Sequence, residues 1–234
     1  MGKLQRKIWN DNHKLLRKAL VRPETHSEAV TIFLSQHALL HNNQVGHSEQ
    51  VTLVEHLLKN LDETTFRQYP VSNPDTKNSI AWHLWHISRI EDMTMNILIA
   101  DAPQVLQSEN WLAKLNIPFA HSGNDMTEEE IACLSKSIDL EALLAYRLEV
   151  GKQTRIVVNS LKTGDFQLAI ESKRMERLFD EQAVAPKSEW LANYWNKKNV
   201  AGLLLMPATR HNFLHLNKSV RIKERLQKQL NIEV

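Results

Sequence analysis

Glycine is scarce, with six in 234 residues. Few positions can take the left-handed backbone conformations that tight hairpins need, which disfavours a hairpin-rich β fold. The same scarcity leaves no glycine-rich phosphate loop, and neither G-x-G-x-x-G, a P-loop nor G-x-S-x-G occurs. Cys133 is the single cysteine, so no disulfide can form within the chain. That usage, together with a charged start (Met-Gly-Lys-Leu-Gln-Arg-Lys) that lacks an apolar leader core, points to a cytoplasmic protein. No run approaches the ~18 apolar residues of a membrane span. The strongest short run, 200–206, contains Gly202 and stops at Pro207. Net charge is only +2, too small to argue for a nucleic-acid partner.

What is present is helical periodicity. Residues 3–20 read as an amphipathic helix with Leu4, Ile8, Leu15, Leu16 and Ala19, stopped by Arg22-Pro23. A second helix opens at Ser27 and runs to about His41, and a third, capped by Ser48, covers about 49–61. The long stretch from Lys77 to Ala100 ends before Pro103. Thr127-Glu-Glu-Glu is a capping signature, with acids at the positive end of a helix. Asp139 starts a helix that keeps its period to about Leu161, and 166–195 is polar with short helices at best. The last helix, about 199–230, must kink or divide at Pro207. The expectation is an all-α protein, a four-helix bundle built from 48–61, 77–100, 139–162 and 199–230. One domain is expected over 1–234, with 1–47 a helical extension packed on a bundle core of 48–230.

The chain holds eleven histidines, and two segments concentrate them. His211 and His215 are four residues apart, which on a helix puts both imidazoles on one face. His83 and His86 lie within one turn, on the stripe that carries Trp82, Ile90, Met93 and Ile97. Both sets sit on faces expected to point into the bundle, where a buried imidazole needs hydrogen-bond partners or a metal. Three of them around one divalent ion would make an open, catalytic-type site. His37 and His41 have the same spacing as His211 and His215, so spacing alone does not single out one pair.

Asn78-Ser-Ile-Ala-Trp-His-Leu-Trp-His-Ile-Ser-Arg-Ile-Glu-Asp resembles the second bundle helix of the DinB/YfiT-like family, and Pro207-Ala-Thr-Arg-His-Asn-Phe-Leu-His-Leu resembles its last. The resemblance covers about 48–230. It implies metal ligands at His86, His211 and His215, with zinc or nickel bound. It further implies thiol-dependent transferase or hydrolase chemistry on a small molecule, with a low-molecular-weight thiol as a possible cofactor. A non-catalytic metal-binding or stress-response module is the alternative. His83 is expected to line the pocket as the candidate acid–base group, and His37, His41 and His47 are expected in structural or solvated roles, with the pocket mouth as the alternative. Glu91 and Asp92 are placed either to orient a ligand histidine or as exposed helix-surface charges. Arg89 and Arg210 suit an anionic substrate group or surface ion pairs. Trp82 and Trp85 suit the core, and exposed bundle faces suit a homodimer.

Overall fold

The computed structural model describes residues 3–47 and 50–230. Its order begins with α1 (Lys3–Ala19), α2 (His26–Ala38) and α3 (Asn43–Gly46), then α4 (Leu53–Leu58) and α5 (Glu63–Arg67). The central helix α6 (Ile80–Met93) continues as a π-helical segment, Thr94–Ala100. Next come α7 (Trp111–Leu115), α8 (Glu128–Ser137), α9 (Leu140–Ser160), α10 (Ser172–Asp180) and α11 (Glu189–Asn196). The chain closes with α12 (Val200–Leu205), a second π-helical segment (Met206–His211) and α13 (Asn212–Leu230). Among the described residues there is no strand, only two isolated bridges, so the all-α expectation holds. None of their helices is long and apolar enough to cross a membrane.

Local chemistry sets several of these ends. Thr127 and Glu130 form the capping box read from the sequence. The Asp139 carboxylate accepts from the N–H of Ala142 and opens α9. The expected helix over 49–61 is shorter. Thr52 and Glu55 form a capping box that starts α4 only at Leu53, and the chain leaves the helix at Lys59. Ser48, the expected cap, lies outside the described residues.

All fourteen residues of α6 are buried. It is therefore a central helix rather than an amphipathic one, with α9 and α13 packed along it and α5 and α8 beside them. The α1–α2 hairpin lies against the end of the bundle where the chain turns through Met206–His211. Its inner face is only partly the one the periodicity suggests. Leu16 and Ala19 are buried as expected, and Trp9 and Leu20 turn inward with them, but Ile8 and Leu15 are exposed. Trp9 turns inward because its indole stacks flat on Phe213 at the start of α13, with centroids 3.8 Å apart.

Candidate metal centre

Two breaks in regular helix aim the histidines. Ser79 caps α6 by accepting from the N–H of Trp82, which fixes where the helix begins. His83 and His86 then fall one turn apart, both buried. On the facing strand of chain, Pro207 has no N–H to give, and the backbone widens into the π-helical segment that ends at His211. The Thr209 hydroxyl reaches back to the carbonyls of Leu204 and Leu205, at 2.9 and 2.8 Å, and serves groups loosened by the break. Regular helix resumes at Asn212, and the rings of His211 and His215 lie 4.4 Å apart.

The ligand nitrogens of His86, His211 and His215 lie within 4.8 Å of one another. Nε2 of His86 faces Nε2 of His211 at 3.1 Å. Two nitrogens bound tetrahedrally at about 2.0–2.1 Å from one ion would stand about 3.3 Å apart, close to this spacing. Ring protons follow from the neighbours. The Ser122 carbonyl, 2.7 Å from His86 Nδ1, can only accept, so Nδ1 carries the proton and Nε2 is bare. His83 Nε2 lies 3.2 Å from the Thr76 hydroxyl, and its Nδ1 lies 2.8 Å from His215 Nδ1. When His83 donates to Thr76 it accepts from His215, which leaves His215 Nε2 bare as well. Burial holds all these rings neutral. It pushes His86 down to about 4 and His83 to about 3, and holds His211 and His215 well below the ordinary imidazole range. Trp82 stacks on His86 at 4.5 Å and shields one side of the cluster. The donor set is thus three neutral imidazoles, His86 buried and His211 and His215 half-buried.

The family model for the DinB superfamily matches residues 48–216, which include all three histidines. The chain belongs to the DinB superfamily. No curated protein matches it. This DinB-superfamily chain carries a second cluster whose histidines lie before the matched span. His37 and His41 take a structural role, as expected, rather than lining the pocket mouth. Both are fully buried, with Nε2 atoms 2.7 and 3.0 Å from the two carboxylate oxygens of Glu91. His47 is exposed beyond α3. The Thr154 hydroxyl and the Asn212 amide add one bond each to Glu91, both 2.8 Å. Asn212 also accepts from Arg147, whose guanidinium is buried.

Two imidazoles and a carboxylate this close could also hold a metal. The clusters differ in what already occupies the ligand atoms. Four donors fill the Glu91 carboxylate, and a buried arginine supplies its countercharge, so the second cluster is a closed anchor. Burial alone would raise the Glu91 pKa, but the two histidines and their hydrogen bonds outweigh it and hold it well below the ordinary range. The anchor grips Asn212, the residue after His211, and ties the ligand turn to α6 and α9.

Arg89 and Asp92 are buried too, rather than on the surface. Asp92 accepts from Arg89, Tyr146 and Asn96 and from the backbone of Val105 and Leu106. Arg89 also donates to Tyr146, Ala120 and Gln104. Neither touches a ligand histidine, and the buried Arg89 is bound up in this network rather than facing the cavity. Arg210 is engaged by Asn10. Trp85 is core, as expected. Sequence reading missed the Ser122 carbonyl, Thr76 and Asn212. A backbone acceptor leaves no sequence signal. It also missed a cavity of about 210 Å³ that opens onto His86 and His211. Part of its wall comes from α11, and Trp190, Tyr194 and Trp195 clustered on one short helix were its visible trace.

Proposed function

We propose that this chain is a metal-dependent enzyme in which His86, His211 and His215 hold one divalent ion, zinc or nickel, and act on a small molecule by thiol-dependent transfer or by hydrolysis. The observation that carries the reading is the convergence of three neutral imidazoles, one buried and two half-buried, two of them lining a cavity. Neutral nitrogen donors in a three-ligand set suit these ions and leave coordination positions free. A bound ion there supplies a Lewis acid able to make water or a thiol nucleophilic near neutral pH.

The chain's own groups do the rest. Ser122 fixes the tautomer of His86, and His83 fixes that of His215 through a ring-to-ring hydrogen bond. With both nitrogens of His83 engaged, its part is to position His215. Trp82 covers one face of His86, and the cavity leaves the His86 and His211 side open to a ligand. A cytoplasmic location and a homodimer belong to the same proposal.

Metal analysis of protein purified without a histidine tag tests it. About one ion per chain is expected, lost in the variant combining H86A, H211A and H215A. Stoichiometric metal in that variant refutes the ligand set. Metal that accepts neither water nor added thiol would favour the non-catalytic module.

A further inference from the structure

We infer that the cavity beside the three histidines selects an uncharged, apolar ligand head about one ring in size and disfavours anionic thiols. The inference rests on the metal reading above and adds the class of molecule the site takes. At about 210 Å³ the cavity falls below the range of ~300–1,000 Å³ typical of drug-sized sites. His86 and His211 form one end, and Ile90, Leu191, Met206 and Pro207 form apolar walls. Trp190, Tyr194 and Trp195 supply the aromatic side. Besides the histidines, Asn124 and the aromatic residues Tyr194 and Trp190 bring the polar groups of the lining, and among the described residues no Lys, Arg, Asp or Glu is part of it.

Nearby charges are turned to other work. The Asp125 carboxylate accepts from the Trp190 indole N–H at 2.6 Å and from the Ser188 hydroxyl at 2.7 Å. Lys198 lies over the Tyr194 ring at 4.5 Å. Arg89 and Arg210 are bonded elsewhere. A carboxylate carried along the cavity away from the ion would lose its water and meet no protein cation there, and that is disfavoured.

Trp190 and Tyr194 supply a second, independent observation. Both are large aromatics left 52% and 40% exposed at this cavity, and Asp125 pins the Trp190 indole in place. Exposed apolar surface held rigid beside a reactive centre is ready to be covered by a ligand.

The test uses tag-free protein loaded with Co²⁺ and its visible absorption. Phenylmethanethiol, 2-mercaptoethanol and mercaptosuccinate are titrated in turn. Phenylmethanethiol is expected to bind at least ~10-fold more tightly than the other two, as burial of a ring implies. W190A and Y194A are expected to erase that preference while Co²⁺ stoichiometry stays unchanged. Mercaptosuccinate binding as tightly as phenylmethanethiol overturns the inference, as does a preference that survives both substitutions. If no Co²⁺ binds, the metal reading fails and the cavity is tested alone. Benzyl alcohol should then quench tryptophan fluorescence saturably in wild type and not in W190A, with benzoate inert. No saturation, or equal quenching by benzoate, overturns it.

Discussion

Glu91→Gln keeps the side chain's shape and replaces one oxygen and its charge with an amide NH₂. In the wild type, Oε1 accepts from His37 and Thr154, and Oε2 from His41 and Asn212. Turned with its oxygen toward His41 and Asn212, the amide presents its NH₂ to His37 and Thr154, which accept after a tautomer switch and a hydroxyl rotation, so the four charge-assisted hydrogen bonds become neutral ones, each weaker by about 1 kcal/mol. Hydrogen bonds to a charged group contribute about 1.5–3 kcal/mol each. Arg147 also loses its countercharge, and breaking one side of a buried charge pair costs about 3–5 kcal/mol. These costs overlap, and a net loss of about 3–5 kcal/mol is expected against a total of about 5–15 kcal/mol. Urea unfolding of chelator-treated protein at pH 7, followed by far-ultraviolet circular dichroism, measures it. The pH dependence gives an internal check. Glu91 is held below its unfolded-state pKa of about 4.3, so its contribution is complete above that value and fades as pH falls below it. The gap between wild type and variant must therefore narrow in acid. A loss under ~1 kcal/mol at pH 7, the size of an exposed pair, would refute the account of the anchor.

Three further outcomes follow from the same geometry. His83→Ala removes the partner of His215 and is expected to weaken metal binding about 10–100-fold, read by competition with a chromogenic chelator; unchanged affinity would deny His83 its positioning role. Gly151→Ala brings a Cβ to 2.6 Å from Nδ1 of His41, so overpacking of about 1–3 kcal/mol should outweigh the ~1 kcal/mol helix-propensity gain of alanine. A higher melting temperature would contradict that packing. In metal-free protein, burial depresses the pKa of His41, His83 and His86 below the unfolded value of about 6.5. The stability tied to their neutral forms is complete above pH ~6.5 and falls as pH drops toward their folded values, by up to ~1.4 kcal/mol per pH unit per histidine. Urea midpoints that stay flat between pH 7 and pH 5 would rule this out.

The parts legible in the sequence are those with local causes. Thr127 and Asp139 announce their helices, Pro207 announces the break, and the spacing of His211 and His215 survives because regular helix resumes right after it. What failed depended on partners far along the chain. The buried roles of Arg89, Glu91 and Asp92 could not be read because their neighbours on α6 say nothing about what covers the other faces. Glu91 meets His37 from 54 residues away, and Asp92 meets Tyr146 from 54 residues away in the other direction. The face of α1 was partly misjudged for the same reason, since the Trp9–Phe213 stack spans almost the whole chain. The cavity wall was invisible because α11 looked like a fragment of a polar segment, and only its docking beside the π-helical turn makes its aromatics a site.

X-ray absorption at the edge of the metal that co-purifies with tag-free protein bears most directly on the central claim. The account predicts a first shell of light atoms with the multiple-scattering signature of three imidazoles, nitrogen at about 2.0–2.1 Å for zinc, reduced to two in each of the single variants H86A, H211A and H215A. A spectrum with fewer than three imidazoles in the wild type, or one that those substitutions leave unchanged, would contradict it.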